Sequence, residues 1–330
     1  PLYRQAALLG RFGGTEISRN TVAGSIVRVG LATQPVVNLL RDELLDSPMI
    51  FGDETELQVL KEGGRSAQAK SYLWAQMTEG SGRDGTGPPI RMFGYSPSRS
   101  TKTALALYAG IRRGAVLMSD GYDVYDAVAK EHGLVHLGCW AHARRYFNDA
   151  LQALPKEQRN AGNVAAKFLA LIGKLYHVEA QAKRDGADTA ELGRRRQSES
   201  VPLLAQIEAL LITNQHAVLP KSLLGRALHY VMSQWPKLSR YIEDGRYGID
   251  NNAQENAIRP FCVGRRNWLF ADTTAGADAS ANLYSLLQTC RVNGIDGYRY
   301  LRALLIALPR ATTADDYAAL LPWRIDLSAA

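Results

Sequence analysis

The sequence predicts a mixed α/β fold with an all-helical insertion and a helical amino-terminal segment. Strand patterns dominate from residue 49 to residue 95, and strands and helices alternate from there to residue 151. Residues 155–245 then carry apolar side chains only at helical spacing. With 330 residues and 46% hydrophobic content, the chain can bury a substantial core.

The composition excludes several classes of protein. No apolar run approaches the roughly 18 to 20 residues of a membrane span, and no signal peptide is recognisable, so we expect a cytoplasmic, nucleoid-associated protein. Three widely spaced cysteines argue against a disulfide framework or a zinc knuckle. A net charge of +7 weakly favours a polyanionic partner. Because the chain begins at Pro1 rather than Met, we expect a processed or partial product.

The amino-terminal segment is predicted to be helical. Residues 3–12 form one helix, Gly13-Gly14 breaks it, and Ser18 caps a second helix that runs to about Val29. A third helix spans Pro35 to Leu45. This order fits a helix-turn-helix, and it fits a plain helical hairpin at least as well.

Strands follow in an antiparallel order. The apolar stretches 49–51, 57–60 and 72–77 predict three strands, and residues 90–95 predict the next one. A helix is expected over residues 98–111.

An alternating run completes the predicted sheet. A short buried strand, Ala115–Met118, ends just before Asp120. A helix at 122–132, a strand at 134–139 and a basic helix at 141–151 follow.

The helical insertion carries a charged segment, Lys183 to Arg196, which we expect to be a loop between two helices. Its Arg194-Arg195-Arg196 run is interpreted as solvated surface, and contact with DNA is the alternative.

The sequence predicts five parts in chain order. They are a helical amino-terminal segment (1–47), the first part of the core (48–152), the insertion (153–246), the second part of the core (247–296) and a helical tail (297–330).

Three acidic residues, remote in the chain, are candidate catalytic and metal-binding groups. Asp53 lies within a strand, and the alternation of side chains turns Glu54 to the other face. Asp120 follows a buried strand, where open α/β sheets present ligand-binding groups. Glu255 belongs to a short helix that Asp250 or Asn251 caps and that Pro260 stops or kinks.

On that helix, Asn251, Glu255 and Arg259 form a polar stripe, while Ala253 and Ala257 fall on a face suited to packing against a sheet. The alternative is an ordinary capped surface helix with a Glu–Arg pair.

Three carboxylates from separate segments suit Mg²⁺, which prefers oxygen ligands. Two such ions could activate the attacking oxygen and stabilise the leaving oxygen in phosphodiester chemistry, and Mn²⁺ could substitute. A paired-carboxylate glycosidase is the alternative, but it needs no basic surroundings.

Basic and aromatic residues surround these acids in sequence. Arginine grips phosphate and tryptophan stacks on unpaired bases, so these residues are candidate DNA contacts. The candidates are His142, Arg144, Arg145, Asn251, Asn252, Arg259, Arg265, Arg266 and Trp268. Trp140 and Trp268 fit the core equally well, and His142 more often serves as a hydrogen-bond partner at a helix start.

Several of these segments together resemble the IS66-type transposases of bacterial insertion sequences. The segments are Gly52–Thr55, Ser119–Tyr122, Gly138–Arg145, Ile249–Asn252, Ile258–Pro260 and Gly264–Phe270. The resemblance covers the chain to about Leu305 and implies a ribonuclease-H-like core with a DDE triad of Asp53, Asp120 and Glu255. One departure is Asn256, where the family usually carries Arg.

The resulting hypothesis is a Mg²⁺-dependent DNA transposase that cleaves transposon ends and joins them to target DNA. The resemblance further implies a homo-oligomer in the active complex, with accessory proteins from the same element as further partners. The alternatives are a nuclease of the same fold that does not join DNA, and a non-catalytic DNA-binding protein descended from a transposase.

Overall fold

The computed structural model describes residues 2–14 and 16–328, and it confirms the mixed α/β class. The strands are β1 (Met49–Lys61), β2 (Lys70–Thr78), β3 (Ile90–Ser96), β4 (Val116–Met118), β5 (Val135–Leu137) and β6 (Ala271–Thr273). The helices are α1 (Leu2–Gly13), α2 (Arg19–Ala32), α3 (Gln34–Leu45), α4 (Thr101–Leu107), α5 (Asp123–His132), α6 (Trp140–Gln152), α7 (Val164–Arg184), α8 (Thr189–Arg195), α9 (Val201–Asn214), α10 (Leu223–Ser239), α11 (Asn252–Trp268), α12 (Thr274–Val292), α13 (Gly297–Ala307) and α14 (Ala314–Ala318).

These strands form a mixed sheet with the order β3-β2-β1-β4-β5, and β6 pairs with β1 in parallel. The antiparallel pairs β1–β2 and β2–β3 agree with the predicted order. The stretches 49–51 and 57–60 are not separate strands, however, because Asp53 and Glu54 stay in register with Ala75 and Trp74 of β2. Neither β6 nor the long helix α12 was predicted.

The described residues divide into two compact units. The first comprises those within 1–117, 126–134 and 253–330, and the second comprises 118–125 and 135–252. The predicted five-part organisation remains a prediction, because this division neither matches nor tests its boundaries.

In the first unit, α12 covers the outer edge of the sheet. The backbone N–H groups of Arg91 and Phe93 on β3 donate hydrogen bonds to the hydroxyls of Thr289 (3.1 Å) and Ser285 (2.8 Å). These side chains satisfy backbone groups that an edge strand would otherwise present to solvent or to another chain. The helix thereby fixes the position of β3 and closes one side of the core.

The amino-terminal helices form as the sequence predicts. The Ser18 hydroxyl accepts a hydrogen bond from the N–H of Thr21 at 3.1 Å and caps α2. Helix α2 packs closely on α12, because a Cβ atom at Gly30 would lie 2.6 Å from the Cβ atom of Ala279. This close approach requires glycine at position 30.

The second unit has a helical core built on α6, α7, α9 and α10. Phe147 and Phe168 stack with their ring centroids 4.2 Å apart, and Trp140, Ile207 and Leu228 are buried around them. No strand lies between residues 153 and 252, all of which the structure describes, so the prediction of an all-helical segment is confirmed.

The prediction of a charged loop from Lys183 to Arg196 is wrong. Helix α8 occupies much of this segment, and a π-helical turn from Arg196 to Ser200 leads directly into α9. Arg196 is buried rather than solvated: it donates two hydrogen bonds to the Glu179 carboxylate, at 2.8 and 2.7 Å. Its guanidinium also donates to the carbonyls of Tyr241, Asp244 and Tyr247.

None of the helices within residues 2–14 and 16–328 combines the length and the apolar character that a membrane crossing requires.

Candidate functional site

Asp53 lies half-buried near the middle of β1, on the strand face that points into the core of the first unit. Side chains at every second position share a face, so Thr55, Leu57 and Val59 lie on the same side as Asp53. Leu57 and Val59 pack in one apolar cluster with side chains of α11 and α12. Asp53 therefore faces the layer formed by these helices.

Glu54 points to the opposite face, as the alternation predicts. Its side chain is 2% exposed and forms an ion pair with Arg99, whose Nε donates a hydrogen bond to Oε1 at 2.7 Å. The pairing with Arg99 gives Glu54 a structural role. Arg99 was not predicted from the sequence, because it follows Glu54 by 45 residues and no local pattern marks it.

Helix α11 crosses the strand face that carries Asp53. Arg265 donates a hydrogen bond from Nη1 to the Thr55 hydroxyl at 3.0 Å, and the Cys262 thiol lies 3.7 Å from the same hydroxyl. The chain leaves α11 and enters β6, which pairs with β1 at Val59. The carboxyl end of α11 therefore lies at the Val59 end of β1.

Glu255 lies in the first turn of α11, half-buried. It precedes Cys262 by two helical turns, about 10 Å along the axis, so both side chains project from the same side of the helix. Because α11 ends near Val59, its first turn lies toward the part of β1 that holds Asp53. The first unit thus places Asp53 and Glu255 on one shared layer between helix and sheet.

The predicted details of this helix need two corrections. Pro260 does not stop α11, whose 17 residues run from Asn252 to Trp268. The alternative that Pro260 kinks the helix stays a prediction. The sheet-packing face is formed by Gln254, Ile258 and Phe261 rather than by the alanines, since Ala253 is exposed and Ala257 is half-buried.

Asp120 belongs to the second unit, where it follows the buried end of β4. Its Oδ1 accepts a hydrogen bond from the N–H of Tyr122 at 3.0 Å, which turns the chain into α5. A Cβ atom at Gly121 would lie 2.6 Å from Cε2 of Tyr230, so the turn needs glycine. Burial raises the pKa of Tyr230, and the nearby Cys139 and Asp120 act in the same direction.

A buried pair that sequence analysis missed lies beside Asp120. The Ser119 hydroxyl and His136 Nε2 are 2.8 Å apart, and Ser119 Oγ also donates to the Asp120 carbonyl at 3.0 Å. Both side chains are buried. They hold the peptide that carries Asp120, and a histidine in a short apolar strand gave no signal of this role.

The predicted acids are thus divided between the units, with Asp53 and Glu255 in the first and Asp120 in the second. Carboxylates are the ligands that Mg²⁺ prefers, so the donor types fit a hard divalent cation. A ready-made group of three or more His, Cys, Asp or Glu side chains able to hold a metal ion is not found within residues 2–14 and 16–328.

Helix α6 carries three of the predicted DNA contacts. Arg144 and Arg145 are exposed, while His142 is half-buried. Trp140, at the start of the helix, is fully buried and donates from Nε1 to the Leu238 carbonyl at 2.8 Å, so it is a core residue.

The two asparagines at the start of α11 differ in exposure. Asn251 is fully buried, and its N–H donates to the Cys139 sulfur at 3.2 Å. Burial raises the pKa of Cys139 to about 12, so this thiol stays protonated at neutral pH. Asn252 is exposed and donates hydrogen bonds from its N–H and its side-chain amide to the Asp250 carboxylate, at 3.0 and 2.6 Å.

The remaining predicted contacts lie on α11 itself. Arg259 and Arg266 are exposed, and Arg265 is half-buried beside Thr55. Trp268 is also half-buried and packs edge-on against Phe261, with ring centroids 5.3 Å apart. Contact of these residues with DNA remains a prediction.

The family of this chain follows from comparison with models of known protein families. The model of the transposase IS66 family matches residues 1–279, and the model of the IS66 C-terminal element matches residues 285–323. The chain belongs to the IS66 transposase family. The resemblance found in the motifs is thereby confirmed.

Similar proteins occur in Sinorhizobium fredii (strain NBRC 101917 / NGR234). One, "Uncharacterized protein y4qI", is 30% identical over 98% of this chain and 59% of its own length. Another, "Uncharacterized protein y4jD", is 28% identical over 98% of this chain and 62% of its own length. The chain therefore spans about three fifths of the length of these relatives.

Proposed function

We propose that this IS66 family member is a DDE-type transposase with a ribonuclease-H-like core. It cleaves the ends of an insertion sequence and joins the released 3′ hydroxyl to target DNA. The observation that carries the proposal is the placement of Asp53 and Glu255 on one shared layer of the first unit.

The proposed roles follow from the chemistry of each side chain. Asp53, Asp120 and Glu255 would each supply a carboxylate ligand to divalent cations, either two Mg²⁺ ions or Mn²⁺ in their place. Bound there, such ions would lower the pKa of the attacking water and stabilise charge on the phosphate. The half-buried positions of Asp53 and Glu255 limit competition from bulk water, which strengthens their interaction with a cation.

The proposed DNA contacts fall into two groups by exposure. Arg144, Arg145, Asn252, Arg259 and Arg266 are exposed and can reach phosphates directly. His142, Arg265 and Trp268 are half-buried, and the buried Asn251 would act by fixing the start of α11. We further propose that the active complex is a homo-oligomer on paired ends, with accessory proteins from the same element as possible partners.

The test is cleavage of labelled transposon-end DNA in the presence of Mg²⁺ or Mn²⁺. Asp120→Asn and Glu255→Gln are each expected to lower the cleavage rate at least ~10²-fold, because the loss of one catalytic group typically has an effect of this size. Binding of the same DNA should change little. Glu131→Gln, an exposed position on α5, is the matched control and should cleave normally. Full cleavage by Asp120→Asn would contradict the assignment.

A further inference from the structure

A groove runs between α11 and α12 in the first unit, on the side of α11 away from Thr55. Two adjoining hollows form it, and Asn256 and Arg291 line both of them. Arg259 lines one hollow and Gln288 lines the other. Phe261 of α11 and Tyr284 of α12 contact each other edge-on, with ring centroids 5.3 Å apart, and hold the two helices together beside the groove.

The groove carries two positive charges, on Arg259 and Arg291, that no carboxylate of the described residues pairs with. Arg259 and Arg291 are exposed, and neither forms an ion pair with any residue in the described part of the chain. No carboxylate of a described residue lines either hollow. Arg91, in one hollow, is mostly buried and is neutralised by Glu79 at 2.7 Å.

The polar groups of the groove suit a phosphate backbone. Two guanidinium groups supply charged donors, and the amides of Asn256 and Gln288 supply neutral ones. Guanidinium–phosphate hydrogen bonds are among the stronger contacts that proteins make. A partner that places several acceptors in a row therefore fits better than a single small anion, which would leave most of these donors unused.

The groove also begins beside the proposed catalytic acid. Asn256 follows Glu255 directly, and Arg259 lies one helical turn further along α11. A DNA strand that brings its cleaved phosphate to Glu255 would extend its neighbouring phosphates along this groove.

We propose that the α11–α12 groove binds the sugar–phosphate backbone of DNA next to the cleaved bond, and that Arg291 is a positioning residue for that strand. This inference rests on the proposed function for its placement beside the cleaved bond. Because phosphate contacts carry no base information, binding through the groove should be independent of DNA sequence. An acidic protein partner would be the competing occupant.

The test is the affinity for fluorescently labelled duplexes as a function of salt concentration, measured without divalent metal. Arg291→Gln should lose several-fold in affinity at low salt, equally for unrelated sequences. The slope of log K against log salt should shrink by about 1, as expected for one lost phosphate contact. Arg302→Gln, which removes an exposed arginine of α13, is the matched control and should leave the slope unchanged.

A gain-of-contact variant separates this prediction from misfolding. Asn256→Arg adds a cation between Arg259 and Arg291, so it should raise affinity and steepen the slope by about 1. An unchanged slope in both Arg291→Gln and Asn256→Arg would overturn the proposal, as would undetectable DNA binding by the unaltered chain at low salt. Changed slopes without any DNA cleavage would instead retain the groove and reject the proposed function.

Discussion

Leu269 adopts a backbone conformation that leucine rarely takes. Its φ angle is 68°, and its N–H donates to the Arg265 carbonyl at 2.7 Å, which ends α11. Glycine usually occupies this position after a helix, since a side chain there costs roughly 1–2 kcal/mol. The Leu269 side chain is 62% exposed, so its packing recovers little of that cost.

We therefore expect Leu269→Gly to raise the free energy of unfolding by about 1 kcal/mol. Differential scanning calorimetry would measure the change. Leu269→Ala is the control, because it removes the same apolar surface but keeps the side-chain strain. A melting temperature for the glycine variant at or below that of the alanine variant would refute the explanation.

Arg196 is the most strongly constrained charge in the second unit. Its guanidinium joins the Glu179 carboxylate and three backbone carbonyls, so α7, the π-helical turn and the segment after α10 meet at one side chain. Removing one partner of a buried ion pair typically costs about 3–5 kcal/mol, since the other charge stays buried.

Arg196→Met should accordingly lower the free energy of unfolding by about 3–5 kcal/mol. Replacing Glu179 by Met in the same chain should restore part of the loss, because no uncompensated charge then remains. Thermal unfolding of the two variants and the unaltered chain measures both effects. Equal losses in the single and double variants would show that the carbonyl contacts, rather than the buried charge, dominate.

Contact between helices α2 and α12 limits what position 30 can hold. A Cβ atom there would meet not only the Ala279 Cβ but also its Cα atom at 2.7 Å and its carbonyl oxygen at 2.8 Å. Backbone atoms cannot move aside as a side chain can.

Gly30→Ala should thus lower the free energy of unfolding by about 1–3 kcal/mol, the usual cost of overpacking. Combining it with Ala279→Gly should give little rescue, because the clashing backbone atoms remain. Calorimetry of the single and double variants decides the point, and full rescue would contradict this view of the contact.

Helix α14 depends on an acidic cap. Asp316 accepts hydrogen bonds from the backbone N–H groups of Thr312 and Thr313, which lower its pKa from 3.8 to about 2. A pKa that is lower in the folded state means that the ionised carboxylate stabilises this helix above pH 3.8. That stabilisation is lost as the pH falls from 3.8 through about 2.

The Asp316→Asn variant should lack this pH dependence. An NMR titration of the backbone amides of α14 through the acidic range would reveal it in the unaltered chain, with a midpoint near 2 for Asp316. A midpoint at the ordinary value of 3.8 would show that the cap does not form in solution.

At the scale of the whole molecule, local sequence patterns predicted most of the helices and strands but few of the tertiary contacts between them. The Ser18 cap and the alternation along β1 depend on neighbouring residues, and both were predicted correctly. Proline lacks an N–H group and usually ends a helix, yet α11 continues through Pro260, because Ile258 and Phe261 on either side pack into the core.

The candidate site was predicted from the same kind of local pattern, and its catalytic role stays a prediction. The acids stood out because each lies in a short polar cluster, and strand alternation separated Asp53 from Glu54. Arg99 and His136 could not be found in this way, because their partners Glu54 and Ser119 are distant in sequence. Arg291 also gave no local signal, because the other arginine and the asparagine of its groove lie on another helix. The burial of Arg196 was hidden for the same reason, because Glu179 lies 17 positions away.

We propose that this family member joins DNA through Asp53, Asp120 and Glu255. The most direct measurement supplies pre-cleaved transposon ends and a target duplex with Mg²⁺, then quantifies the joined product. We predict joining by the unaltered chain and by Glu131→Gln, and no detectable joining by Glu255→Gln despite normal DNA binding. Joining by Glu255→Gln at the rate of the unaltered chain would show that Glu255 is not a catalytic residue.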